Sequence, residues 1–182
     1  MNNHLWHNEI FERLLNNPEH MAHAYLLYGK EQNSNNSFSI HLSESLLCYD
    51  QDSIHPCGVC EACLWMATQS HPDFFSVDAV ESDANEKLIP ISSIRALKIF
   101  FELSPHVVGG KKVALINQSD RMNNQATNAL LKILEEPPSN CIIILSMDES
   151  DHIKVSPLGR SDLGAVHRKE SPKQQPKMDR DR

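Results

Sequence analysis

Four cysteines stand out as residues that could do chemistry together. Cys48, Cys57, Cys60 and Cys63 follow the spacing C-x8-C-x2-C-x2-C. Two-residue gaps let successive sulfurs turn toward one ion, and Gly58 eases the tight turn after Cys57. Four thiolates suit tetrahedral Zn²⁺, with Zn–S near ~2.3 Å. The cluster would keep a formal charge of about −2, so nearby amide donors must stabilise it. No coordination position stays open, so the expected role of a bound Zn²⁺ is structural. The plain alternative is four ordinary thiols. Cys141 lies in an apolar run and reads as a small core residue. His55 and His71 flank the cluster without being needed as ligands.

A second site of chemistry is expected where the apolar run Ala22–Tyr28 closes at Gly29. A nucleotide-binding α/β protein places its phosphate loop there, as G-x-x-x-x-G-K-[ST]. Counted from Gly29, the second glycine is Ser34, the lysine is Asn35 and the hydroxyl residue is Asn36. Neutral Asn supplies no cation for phosphates. Lys30 precedes the turn and reads as a solvated lysine. The acidic element that would hold Mg²⁺ after Val113–Ile116 reads Asn117 and Gln118. Both losses argue against ATP hydrolysis. Incidental nucleotide binding stays open. Asp120 is expected to cap the following helix, and His71-Pro72-Asp73 reads as a turn into a strand.

These residues need elements to position them. Apolar spacing predicts helices over 3–16, 38–47, 64–69, 92–103 and 122–134, with Ser92 as an N-cap and Pro105 and Pro137 as stops. Continuous apolar runs predict strands at 22–29, 74–78, 113–116 and 141–145. Strands alternating with helices indicate an α/β protein with a parallel sheet flanked by helices. Beyond about Asp148 the apolar periodicity vanishes, and 154–182 is expected to be a basic, polar, disordered tail.

The 182 residues allow one domain plus a tail. Aromatic residues are only 6%, so the core must be mainly aliphatic. No run approaches the ~20 apolar residues of a membrane span. The N-terminus lacks a basic patch before an apolar run, so a cytoplasmic, reducing setting is expected. The net charge of −7 divides unevenly: residues 151–182 carry +3 and the first 150 carry −10. An acidic body opposes free-standing DNA binding, which needs clustered cations. It opposes equally a zinc module that binds nucleic acid by itself.

The order of motifs resembles one family. HAYLLYG is followed by the four-cysteine knuckle at 48–63, then His71-Pro72-Asp73, Ile91-Ser92-Ser93-Ile94-Arg95, and NQATNALLKILEEPP. Together they resemble the delta-prime subunits of bacterial DNA polymerase III clamp loaders, relatives of the gamma/tau ATPases. The resemblance covers about residues 1–153. It implies a RecA-like AAA+ module with an inserted zinc knuckle, incomplete at its C-terminal end. It implies a non-catalytic part in loading the sliding clamp onto primed DNA. Partners would be the gamma/tau and delta subunits, with DNA met only through the complex. Delta-prime members commonly have a non-functional ATP site, which suits Gly29, Ser34, Asn35, Asn36, Asn117 and Gln118. An ATP-hydrolysing gamma/tau-like subunit is the alternative. Glu135 and Glu136 are expected to be solvated, with Leu130, Leu131, Ile133 and Leu134 packing onto the sheet.

The chain departs from that pattern after Ile153. The family continues with a Ser-Arg-Cys motif, a fifth strand beside the first, and helical domains. Arg160-Ser161 does not match the motif. The expectation is a truncated or frameshifted end, with Ala24–Tyr28 left as an apolar sheet edge. Weak assembly, or a defective fragment without a replication role, would follow from that.

Overall fold

A computed structural model describes residues 11–12, 14–15, 21–28, 32–50, 53–81, 86–147 and 154–157. The chain runs through β1 (Ala24–Tyr28), α1 (Gln32–Leu47), α2 (Glu61–Ala67), β2 (Phe74–Val77), β3 (Val80–Glu81) and β4 (Lys87–Leu88). It continues through α3 (Ile91–Glu102), β5 (Lys112–Ile116), α4 (Asn124–Glu135), β6 (Cys141–Met147) and β7 (Lys154–Pro157).

Five strands form one sheet in the order β2-β5-β6-β1-β7. The pairs β2/β5, β5/β6 and β1/β6 are parallel, whereas β7 runs antiparallel to β1. Every residue of β5 and β6 is buried, because helices cover both faces. Successive side chains point to opposite faces, and this splits the core in two. Ala114, Ile116, Ile143 and Leu145 pack with Ile94 and Leu97 of α3 and Leu130 and Ile133 of α4. Val113, Leu115, Ile142 and Ile144 pack with Phe38, Leu42 and Leu46 of α1 and Met66 of α2.

Several boundaries differ from the expected ones. Helix α1 begins at Gln32, six residues before the predicted start. Its first turns are Ser and Asn and carry no apolar stripe to read. Helix α2 begins at Glu61, with Cys60 in the N-cap position, and ends at Ala67. Pro90, not Ser92, occupies the N-cap of α3, and Ser92 lies in its first turn. Asn123 caps α4, accepting a hydrogen bond from the Ala126 amide at 2.8 Å. Asp120 does not cap it, because it sits one turn earlier in a 3-10 turn, Ser119–Arg121. The β3/β4 pair was not anticipated, since two residues per strand leave no alternation to detect. Of the first predicted helix, Phe11, Glu12, Leu14 and Leu15 are helical, and the remainder lies outside the described residues.

The largest correction concerns the sheet edge. Lys154–Pro157, assigned from sequence to the tail, is strand β7, and it pairs with β1 from Tyr28↔Lys154 to Tyr25↔Pro157. Ala24–Tyr28 is therefore an interior strand, paired with β6 on one side and β7 on the other. Open amides and carbonyls on an apolar strand favour capture of any extended segment within reach. Residues 158–182 lie outside the described residues.

Candidate metal centre and candidate nucleotide position

The four cysteines converge from three places. Cys48 follows the last residue of α1, and its amide still bonds to the Glu44 carbonyl at 2.9 Å. Cys57 and Cys60 lie on the connecting loop, and Cys63 is in the first turn of α2. Gly58 adopts φ +74° with open space where a Cβ would stand, so this left-handed turn suits glycine. All four Sγ atoms lie within 4.8 Å of one another. Cys48 and Cys60 are 3.8 Å apart, and Cys57 and Cys63 are 4.0 Å apart. A tetrahedron with ~2.3 Å metal–sulfur bonds has edges of ~3.8 Å. The cage thus has the size and donor set for a metal ion.

Backbone donors already face the sulfurs. The Asp50 and Cys57 amides donate to Cys48 Sγ, and the Cys60 amide donates to Cys57 Sγ, each at 3.4 Å. Burial opposes ionisation of Cys60, but donors from Tyr49, Cys63 and Cys57 outweigh it and bring the thiol down to about 6. Cys63 is pushed up to about 12, first by burial and then by hydrogen bonds shared with Cys60 and Cys48. Burial also raises Cys48. Binding a cation requires the thiols to give up their protons, so metal binding to this cage depends on pH. Cys141 is buried in β6, where burial raises its thiol to about 11, away from the cage.

The strand ends that would serve a nucleotide are built differently. β1 ends at Tyr28 and α1 begins at Gln32, so three residues join them. Ser34, Asn35 and Asn36 fall inside α1, whereas Gly29 and Lys30 lie outside the described residues. At the end of β5, the Asn117 side-chain amide donates to Asp78 Oδ1 at 2.8 Å, and its Oδ1 accepts from the Ser146 hydroxyl at 3.3 Å. Ser76 also donates to Asp78, at 3.0 Å. Asn117 is thus a cross-strand tie between the ends of β2, β5 and β6. Gln118 takes a left-handed conformation, φ +53°.

His71-Pro72-Asp73 forms the turn into β2, and it also holds a feature that sequence reasoning missed. Asp73 is buried, accepts from the His106 amide at 2.9 and 3.0 Å, and pairs with buried Lys112 Nζ at 3.6 Å. Lys112 lies 3.9 Å from the centroid of the Phe100 ring. His71 Nδ1 accepts from the Asp73 amide at 3.0 Å, and its buried Nε2 has no hydrogen-bond partner among the described residues. A Lys at the head of an apolar strand was the available signal. Glu135 and Glu136 are exposed, as expected, and Leu130 and Ile133 are buried.

A parallel sheet in this strand order, covered on both faces, defines an α/β module of the RecA-like type. A family model described as DNA polymerase III, delta subunit, matches residues 6–156, and the chain belongs to that family. The delta' subunit of DNA polymerase III from Pseudomonas aeruginosa is 36% identical over 140 residues, covering 77% of this chain and 41% of that protein. The delta' subunit of Escherichia coli is 30% identical, covering 72% of this chain and 38% of that protein. The tau subunit of Bacillus subtilis is 30% identical, covering 76% of this chain and 23% of that protein. A crystal structure of a gamma subunit-related protein from Thermotoga maritima matches with a TM-score of 0.51 and 27% identity, over 77% of this chain and 38% of that one. The chain spans about two-fifths of its delta' relatives' length, or less. Among the described residues, no helix is long and apolar enough to cross a membrane.

Proposed function

We propose that this chain is a delta-prime-type subunit of a DNA polymerase III clamp loader that works through protein contacts and not by ATP hydrolysis. Its partners in this reading are gamma/tau and delta subunits. DNA is reached only through the complex, in the cytoplasm. The observation that carries the non-catalytic part is Asn117: where hydrolysis needs a Mg²⁺-binding carboxylate, an amide spends both its ends tying β2 to β6. The short β1–α1 connection supports the same reading, because a phosphate cradle needs several free loop amides.

In the same reading Cys48, Cys57, Cys60 and Cys63 hold a structural Zn²⁺, which would neutralise the thiolates and fix the approach of α2 to α1. Metal analysis of protein purified without chelator tests this, with one zinc per chain expected. Less than about half an equivalent rejects it for this saturable four-thiolate site.

Co-expression with gamma/tau and delta, followed by size-exclusion chromatography, tests the assembly. Co-elution in one complex is expected, and separate elution of a folded, zinc-bound chain rejects the subunit role. Titration with MgATP separates the alternative: saturable binding with turnover would make the chain a gamma/tau-like ATPase.

A further inference from the structure

The cysteine cage lies against a second structure to which the sequence assigns no role. Trp65 projects from α2, two residues beyond the last cysteine. Its ring meets His71 edge-on, with centroids 5.6 Å apart and planes at 85°. It meets His106 in the same way, at 5.2 Å and 84°. His71 and His106 both attach to Asp73, His71 through the Asp73 amide and His106 through its own amide onto the carboxylate. Asp73 in turn pairs with Lys112 at the head of β5, and the Val113 amide donates to the Asp73 carbonyl at 2.9 Å. A continuous set of contacts therefore runs from α2 to the outer pair of strands, β2 and β5.

A cavity of about 360 Å³ lies beside this path, between Leu46–Tyr49 and the loop Val107–Lys111. The end of α1 and that loop are thus separated by open space, and the Trp65 contacts bridge from the cage side. Met66 fastens α2 to the core, within the cluster of Leu46, Leu47 and Val113. Trp65 and Met66 both attach α2 to the body, and the Trp65 ring reaches His71 and His106.

We propose that Trp65 is a positioning residue that couples the metal state of the four-cysteine cage to the order of the β2–β5 edge and its loop 103–111. The proposal rests on the reading of the cage as a zinc site. With the cage closed on a metal, α2 is held and Trp65 clamps His71 and His106. With the metal gone, the first turn of α2 loses its anchor at Cys60 and Cys63. The clamp then loosens, and the hydrogen bond from the His106 amide to the Asp73 carboxylate opens more often.

Amide hydrogen exchange on the full chain, with zinc and after its removal, tests this. Protection at His106 and Val113 should fall by about tenfold or more on metal removal, while Ile143–Leu145 in β6 change less than about twofold. Trp65→Leu should bind one zinc and show the low protection at His106 whether or not metal is present. Trp65→Phe, which keeps a ring against both histidines, should retain the response to metal, and it serves where the leucine variant folds poorly. Unchanged protection at His106 on metal removal overturns the proposal. So does a uniform loss through β6, which would be global unfolding, or a Trp65→Leu protein that still responds. Absence of bound zinc overturns the proposal together with the zinc reading, and metal content distinguishes that failure from the others.

Discussion

Lys112 and Asp73 sit 3.6 Å apart with 4% and 6% of their side chains exposed. A pair this buried adds little net stability, because desolvation cancels most of the attraction. Removing one partner is another matter. Lys112→Met should cost about 3 kcal/mol in chemical denaturation, at the low end for an orphaned buried charge, since Asp73 keeps the His106 amide. Asp73→Asn together with Lys112→Met should recover much of that loss. His71 makes the companion prediction in pH. Burial lowers its pKa below the usual 6.5, with the Asp73 charge opposing and His106 reinforcing the shift. The unfolded chain therefore takes up the proton first, so the His71 contribution is complete above about pH 6.5 and declines as pH falls below it. A denaturation series from pH 7.5 to 5 should show this decline, and His71→Phe should flatten it while lowering the plateau.

At the scale of elements, caps and pairing decide what apolar spacing leaves open. Asn123 accepts from the Ala126 amide, and the Thr127 hydroxyl bonds to the Asn123 carbonyl at 3.1 Å. Asn123→Ala should therefore destabilise the protein by about 1 kcal/mol, read as a shift in denaturation midpoint. Asn123→Asp should be close to neutral, because Asp accepts the same bond. The apolar runs at β5 and β6 were legible, since strands covered on both faces have no polar side to break them. The start of α1 was not legible, because Ser and Asn there have no face to bury. The choice of Asn123 over Asp120 was not legible either. Both are good capping residues, and the 3-10 turn that takes up Asp120 decides between them.

For the whole molecule the sheet edge matters most. β7 gives β1 a second neighbour through four residue pairs. Ser156→Pro removes the β7 backbone donor that faces Leu26 and should free the apolar strand Ala24–Tyr28. Light scattering should then show association at concentrations where the parent chain stays dispersed. Equal behaviour of the two would mean that β7 does not protect this edge.

The sequence by itself determined the α/β pattern, the two-sided burial of β5 and β6, the four cysteines and the amides at Asn35 and Asn117 where a phosphate loop would need Lys and an acid. These are local properties: run length, spacing and residue type carry them. Tertiary structure alone decided the rest. It drew four sulfurs from α1, a loop and α2 to within 4.8 Å. It turned Asn117 into a tie between three strands, and set Lys112 beside an aspartate 39 positions away. It also placed Lys154–Pro157 on β1. Each of these joins groups distant in the chain, and the cost of closing such loops is repaid only once the sheet that brings them together has formed.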